Sequence, residues 1–597
     1  MPRPWQFAPH DRGIITRLTR EMQCSPLLAQ VLASRGYESG EEANAFLVAK
    51  IGDLHDPGLL PGASEAADRI AAAVKAGRRI TIYGDYDVDG VTSTSILWHC
   101  LQLSGAKVDY YIPCRLEEGY GLNREALRTL HEEDPQRLVI TVDCGIGSTE
   151  EADLAARLGL ELIITDHHTM DDELPRAACL VHPRLQEGAY PFPDLCGAGV
   201  AFKLAWAICQ RLGEGGKASP RMREFLKFAV GLAAIGTIAD VVPLVGENRI
   251  IVRYGLATLL EKCTPGLTLL MQIAGMQRAK SLTAEDIAFG IAPRINAAGR
   301  LGQARLAVEL FTTDNETRAA QLAQYVDRLN KDRQTVERKI FRQARELVEE
   351  NEEWQEAAAL VLAHPEWHPG VIGIVASRVC ERFERPTVMI SVNDDEGVGQ
   401  GSARTYADFD LHTALTACRD HLLTFGGHKA AAGLRISKSE IDTFREAFAR
   451  QVAGSHQNGR PEVPLKIDAE VGLNDLTHRA VKELEHLGPF GCRHRRPVFA
   501  ATGVELAEPP RRMGGGDRHL ALRIKQHNKV LRAVAFGKGD WADELEAHGG
   551  PISICFSAGL NSYRGYESVE LQLIDWQSEA AGRNAKSTAT AETSPTV

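Results

Sequence analysis

Short runs rich in β-branched residues alternate with stretches of helical spacing from Arg78 onward. The runs are Arg79-Ile-Thr-Ile-Tyr83, Lys107-Val-Asp-Tyr-Tyr-Ile112, Arg137-Leu-Val-Ile-Thr-Val142, Glu161-Leu-Ile-Ile-Thr165 and Ala178-Cys-Leu-Val181. That alternation predicts a mostly parallel sheet covered by helices, within a domain spanning residues 51–311. Before it, residues 1–50 show short amphipathic spacings with polar starts, as in Pro26-Leu-Leu-Ala-Gln-Val-Leu. They read as a helical segment that packs on the domain next in the chain. Residues 312–357 are charged, helix-favouring and almost free of breakers, which predicts one long helix or two acting as a rigid connector.

A second α/β unit is expected over residues 358–453, with strands near Ala358–Leu362, Thr387–Ser391 and Gly399–Ala403 and helices starting near Val371 and Phe409. A polar linker, Gly454 to Pro461, separates it from dense strand-like runs over residues 462–577. These predict a small OB-like β-barrel. Residues 578–597 carry too little apolar content to fold and are expected to be disordered. The fold class is therefore α/β and multidomain.

Composition sharpens the picture in three places. With 44% hydrophobic and 25% charged residues, a chain of 597 residues has material for several cores. The net charge of −11 means that attraction to nucleic acid has to come from a local patch. Twelve cysteines with no CxxC pair, and a start that lacks the features of a signal peptide, suit a reduced, cytoplasmic protein. The segment Phe228 to Val245 holds one charge, Asp240, and reads as a buried helix ending near Pro243, with no membrane role. A carboxylate in such surroundings costs several kcal/mol unless it is paired, neutralised or bound to a metal.

The candidate chemistry sits where strands end. Asp85-Tyr86-Asp87-Val88-Asp89 follows the first strand, Asp143 ends the strand next but one, and Asp166-His167-His168 ends another. In an open parallel sheet these ends share the edge where ligands bind. Each piece alone also fits a plain structural reading: a solvated turn or calcium loop, a turn, a helix cap. Together, oxygen ligands with one or two imidazoles and no thiolate favour Mg²⁺ or Mn²⁺. Two such ions suit an in-line displacement at phosphorus, so phosphate-ester hydrolysis is the chemistry suggested.

These residues carry a resemblance. Tyr83-Gly-Asp-Tyr-Asp-Val-Asp-Gly-Val-Thr-Ser, Val142-Asp-Cys-Gly-Ile-Gly-Ser, Thr165-Asp-His-His and Gly236-Thr-Ile-Ala-Asp-Val-Val-Pro-Leu resemble the motifs of the DHH phosphoesterase superfamily. Within it, the chain is most similar to bacterial single-stranded-DNA 5′-exonucleases of DNA repair and recombination. The resemblance implies Asp85, Asp87, Asp89, Asp143, His167 and Asp240 as ligands of two divalent ions, with Asp143 bridging. It implies that His168 faces the scissile phosphate and that Asp166 supports the histidines. Several superfamily members carry histidine where Tyr83 stands, which leaves the division of ligands between the ions open.

Three further segments offer anion-binding groups. Gly290-Ile-Ala-Pro-Arg-Ile-Asn-Ala-Ala-Gly-Arg places Arg294, Asn296 and Arg300 in a glycine-punctuated stretch. In the second α/β unit, Ser402 and Arg404 follow Gly399-Gln-Gly, and His428 and Lys429 follow Gly426-Gly, segments that resemble those of the DHH-associated domain. With Arg115, Ser402 and Arg404 are candidates for gripping a 5′-phosphate. Between Arg493 and Lys538 eleven Lys or Arg face three acids, a local patch that includes Arg495, Arg496 and Arg523. With Phe499 and Phe536 nearby for stacking, it suits a single-strand binder.

The expected activity is 5′-to-3′ hydrolysis of single-stranded DNA to 5′-mononucleotides by a monomer. A helicase and a single-stranded-DNA-binding protein are the partners the resemblance implies. Two other readings share the motifs: a hydrolase of short oligoribonucleotides or cyclic dinucleotides, and a catalytically inactive replication scaffold. The basic barrel argues against the first, and the complete set of carboxylates against the second.

Overall fold

The computed structural model describes residues 3–115, 118–185, 189–277, 279–455, 463–563 and 566–578. The tail expected to be disordered lies outside the described residues from 579 onward, as does the linker over 456–461. The chain divides into two units, residues 54–461 and residues 1–53 together with 462–597.

The larger unit is built on the predicted sheet. Five strands lie all parallel in the order Lys107–Tyr111, Arg79–Gly84, Leu138–Val142, Glu161–Thr165, Cys179–Val181. Register pairs Gly84 with Val142, Val142 with Thr165 and Thr165 with Val181, so four strand ends lie level along one edge. Asp85, Asp143, Asp166 and His182 are the residues immediately after them.

Helices Val88–Leu103, Gly197–Leu212 and Pro220–Ala239 pack on one another next to this sheet. Ser219 caps the third and Pro220 opens it, a favoured N-terminal pairing. The apolar segment is thus a buried helix, and among the described residues no helix is long and apolar enough to cross a membrane. It stops at Ala239, so Asp240 is its C-cap, half-buried at the helix end. The stretch around Gly290 is helical: a π-helical turn, Asp286–Ile291, runs into Ala292–Arg300.

One helix of 34 residues, Glu316–Glu349, leads to the second sheet. That sheet is mixed, in the order Thr424–Gly427, Ala431–Ser437, Val398–Arg404, Thr387–Asn393, Leu360–His364. Two of its strands were not predicted. Gly426-Gly belongs to a hairpin paired in register with Ala432 and Gly433.

The smaller unit is a closed barrel. Phe499–Leu506, Ile552–Tyr563, Tyr566–Ser578, Lys529–Ala535 and His519–Gln526 pair in turn, and Glu505↔Lys525 with Leu506↔Ile524 closes the ring. The N-terminal helices Arg12–Met22, Pro26–Ser34 and Gly40–Leu47 belong to this unit. Leu18, Val31 and Leu32 share a core with Leu484, Phe499 and Phe556, and Trp5–Phe7 pairs with Leu465–Ile467. The expectation that these helices pack on the domain next in the chain is corrected: their apolar faces complete the barrel's core. Leu32→Ala, at a fully buried position, should cost the barrel unit about 2–5 kcal/mol. Denaturant unfolding followed through Trp541 and Trp576 reads this, and an unmoved barrel transition counts against the shared core.

Candidate metal centre

Two carboxylates of the acidic loop are fixed by amides at helix starts. Asp87 caps helix Val88–Leu103, accepting from the amides of Asp89 (2.9 Å) and Gly90 (3.1 Å). Asp89, in the first turn, accepts from Gly197 N (2.6 Å) and Ala198 N (2.8 Å) at the start of the facing helix. The helix N-terminus thereby offsets part of the cost of burying the charge. Glycine is required at two of these approaches. A Cβ on Gly197 would lie 2.6 Å from Asp143 Oδ1, and one on Gly236 would lie 2.6 Å from Asp89 Oδ1.

His167 Nε2 is the hub, 3.1 Å from Asp143 Oδ1, 3.7 Å from Asp89 Oδ2 and 3.7 Å from Asp240 Oδ2. The donors form three overlapping groups, Asp85, Asp87, Asp143, then Asp89, His167, Asp240, and a third in which Asp143 and His167 meet Asp166 and His168, each with its ligand atoms within 4.8 Å of one another. Asp143 belongs to the first and touches the hub of the second. Asp166 is fully committed to support: Oδ1 accepts from His167 N (2.7 Å) and His168 Nδ1 (2.7 Å), and Oδ2 from Ile146 N (3.0 Å).

Burial and the crowding of like charges push Asp85, Asp89 and Asp143 above the ordinary carboxylate range, and Asp240 up to about 8. Asp85 Oδ1 is buried with no hydrogen-bond partner in the protein. An orphaned carboxylate oxygen among crowded acids is what a cation resolves. Burial holds His167 down to about 4, the neutral form a metal ligand needs. For Asp166 burial works the other way, but the hydrogen bond and charge of His168 bring it down to about 2. His168 in turn is disfavoured by burial yet held at about 9 by Asp166, so it carries a proton at neutral pH.

The centre opens into a cavity of about 290 Å³ lined by Asp85, Asp87, His168, Arg115, Asn296 and Arg300, with Tyr86 and Tyr120. Burial, then the neighbouring Arg115, Arg333 and Arg404, lower Arg300 to about 10. Arg404 is likewise depressed by burial and by Arg115, and donates to Ser402 Oγ at 3.0 Å. Arginines this close to one another suit an anion. Arg115, Arg300, Ser402 and Arg404 are thus brought together, and Asn296 braces the acidic loop by accepting from Val88 N at 3.3 Å.

Other candidates are placed differently. Arg294 is tied up with Asp327 at 2.9 Å and Gly290 O, so it braces the connecting helix and does not line the cavity. His428 and Lys429 are exposed at the tip of the hairpin and also do not line it. In the barrel unit Arg495 pairs with Asp468 at 2.9 Å, Arg523 lies 3.5 Å from Glu508, and Arg496 stacks 4.7 Å from the Phe490 ring. The patch is therefore less positive than its sequence count, because acids outside the window answer it: Asp468 at Arg495, Asp543 at Arg512 and Glu570 at Arg532. Phe499 is corrected outright: it is fully buried in the barrel core, whereas Phe536 is 55% exposed.

Tyr83 is not at the centre. It is fully buried on Tyr111, with its hydroxyl donating to Gly121 O (3.2 Å) and accepting from Asn123 N (3.1 Å). Sequence reasoning missed Tyr120, whose hydroxyl lies 3.1 Å from His168 Nδ1, and His182, whose Nε2 lies 2.8 Å from His168 O. The position of His182 directly after the fifth strand was the available signal.

The parallel sheet, its strand-end carboxylates and the Asp-His-His turn define a DHH-type phosphoesterase with a metal-binding cluster. The DHH family N-terminal domain matches residues 79–237, the DHHA1 domain 356–454 and the RecJ OB domain 467–575. The chain belongs to the RecJ family. It is 38% identical over 572 residues to the single-stranded-DNA-specific exonuclease RecJ of Bacillus subtilis (strain 168), covering 96% of this chain and 70% of that one. The crystal structure of RecJ from Thermus thermophilus in complex with Mn²⁺ is similar with a TM-score of 0.81 at 33% identity, covering 96% of this chain and 79% of that one. The Mg²⁺ complex from the same organism gives 0.75 at 31%, covering 96% and 78%.

The raised carboxylates set a sign for pH dependence. Asp240 titrates at about 8 in the folded protein, against about 4 for a free aspartate. The stability that its proton contributes is full below about pH 4 and is lost as pH rises through about 8. Metal-free protein should therefore lose thermal stability as pH rises from about 4 to about 8, and Mn²⁺ should raise the Tm most at the alkaline end. Thermal scans with and without Mn²⁺ check this; stabilisation greatest at the acid end runs against it.

Proposed function

We propose that the chain is a single-stranded-DNA-specific exonuclease that works from the 5′ end and releases 5′-mononucleotides. The observation that carries this reading is the shared cavity, in which Arg115 and Arg300 stand against Asp85, Asp87 and His168. A terminal phosphate held by the guanidiniums presents its ester link to the metal-binding acids. The single-stranded-DNA specificity of the related RecJ exonucleases supports the same substrate.

Two divalent ions, Mg²⁺ or Mn²⁺, held by Asp85, Asp87, Asp143 and by Asp89, His167, Asp240, would polarise the phosphate and activate the attacking water. The protein's own groups do the rest. His168, kept protonated by Asp166, donates to a non-bridging oxygen as charge develops there, and the Tyr120 hydroxyl steadies its ring. Arg115, Arg300 and Arg404 fix the terminal phosphate and so set how far the strand enters. Arg300 Nη1 also donates to Gly370 O at 3.1 Å, tying the first α/β domain to the second across the cavity. A cavity this small accepts an unpaired end and excludes a duplex. Backbone charge is what is read, so base preference is low. A helicase and a single-stranded-DNA-binding protein follow as working partners, because such an enzyme acts only where duplex is opened.

An end-labelled assay tests the reading. A 5′-phosphorylated single strand should be degraded from that end in Mn²⁺ and left intact in EDTA, and Asp143→Ala should abolish turnover while strand binding persists. His168→Ala should lower kcat by about 10²–10³-fold. Arg404→Ala should remove the advantage of a 5′-phosphate over a 5′-hydroxyl, chiefly through KM. Hydrolysis confined to dinucleotides, or digestion from the 3′ end, would sink the proposal.

A further inference from the structure

Helix Gly246–Glu261 opens with three polar residues that are nearly or fully buried, Glu247, Asn248 and Arg249. Polar side chains are seldom buried so completely without partners that need them. For Glu247 the partners are plain: its carboxylate takes Lys203 Nζ at 2.5 Å, Tyr190 Oη at 2.5 Å and His55 N at 2.9 Å. Asn248 has a different role. Its Nδ2 donates to Asp194 O at 2.6 Å and to Pro243 O at 3.1 Å, while its Oδ1 is buried without a hydrogen-bond partner. An asparagine with an unsatisfied oxygen is a poor core filler, so its two donated bonds are what the position requires.

The two acceptors belong to different loops. Asp194 lies just before helix Gly197–Leu212, whose first amides grip Asp89. Pro243 lies three residues beyond Asp240, in the segment that joins helix Pro220–Ala239 to helix Gly246–Glu261. Val241 adopts φ +61, an outlier for a β-branched residue, and is 66% exposed, and Gly246 adopts φ +49. One amide group thus ties the support of Asp89 to the loop of Asp240. These are two of the three donors of one ligand group, and neither belongs to the other.

We infer that Asn248 is a positioning residue for the cation site of Asp89, His167 and Asp240, setting the spacing of the two carboxylates through their loops. It has no comparable hold on Asp85 and Asp87. Groups that orient metal ligands from behind typically change metal affinity by about 10–100-fold when removed. The inference rests on the two-cation reading of the proposed function.

Its test is Mn²⁺ titration of the metal-free full chain, followed by electron paramagnetic resonance of free Mn²⁺ and by calorimetry. Wild type should show two sites. Asn248→Leu, close in volume but without donors, should weaken one of them about tenfold or more and leave the other within about twofold. Asn248→Ser, which keeps one short donor, is the second variant should the first fail to fold, and should weaken the same site less. Leu256→Ala, on the same helix and buried, controls for plain destabilisation and should leave both affinities unchanged. Asp240→Ala should weaken the same site, and adding Asn248→Leu to it should change little more. Equal weakening of both sites, no weakening, or a like effect from Leu256→Ala overturns the inference. A wild type that binds no Mn²⁺ overturns instead the metal reading beneath it.

Discussion

The larger unit's centre answers to one electrostatic constraint: six aspartates meet at the edge of one sheet, and they cannot all be charged there without help. Their folded environment keeps Asp85, Asp89, Asp143 and Asp240 above their usual range, through burial first and mutual repulsion second. The fold offers partial compensation in backbone dipoles. Asp87 uses the start of its own helix and Asp89 that of the facing helix, which leaves Asp85 and Asp143 for a cation to satisfy. An all-parallel sheet is the economical source of this arrangement, because it sets successive strand ends level and lets each following turn face the same space.

A second cluster of opposite sign lies against the first. Burial and the charge of Arg115 depress both Arg300 and Arg404, as burial and repulsion raise the aspartates. Neither cluster is at ease alone, and direct pairing between them would quench both. Instead Asp166 takes the histidine, Ser402 and a backbone carbonyl take Arg404, and Asn296 spaces the acidic loop from helix Ala292–Arg300. A phosphate bound beside cations satisfies both clusters at once. The site is therefore complementary to a charged ensemble of substrate and metal, which is how binding energy is directed at phosphoryl chemistry.

The parts legible in the sequence were those where a local pattern has a single physical reading. All five strands of the parallel sheet, the long connecting helix and the barrel strands follow from periodicity and breaker content, and the strand-end carboxylates from their position on that sheet. What escaped depended on long-range partners. Arg294 and Arg404 look alike as sequence, yet Asp327 neutralises one and arginines surround the other. Phe499 and Phe536 are equally aromatic, but barrel closure sends the first inward. The hairpin around Gly426 has too few β-branched residues to announce itself and is held by its neighbours' register. The N-terminal helices are separated from the barrel by about 400 residues of chain, a pairing no local signal carries.

Strain shows that the centre is set before any ligand arrives. Asp143 adopts φ +62 and Val241, directly after Asp240, φ +61, conformations that cost about 1–3 kcal/mol each in residues with a Cβ. Such strain persists only where surrounding contacts over-determine it. For Asp143 those contacts are its amide's bond to Thr165 O at 3.1 Å and the close approach of Gly197. For Val241 they include the clamp that Asn248 places on Pro243. Both strained residues lie at or beside donors shared by His167, the hub of the centre. A flexible acidic loop would relax by swinging its carboxylates apart; here the sheet, the helix starts and the buried amides remove that escape. The repulsion is retained as preorganisation, and the free energy released on cation binding is larger by the amount the folded scaffold withheld.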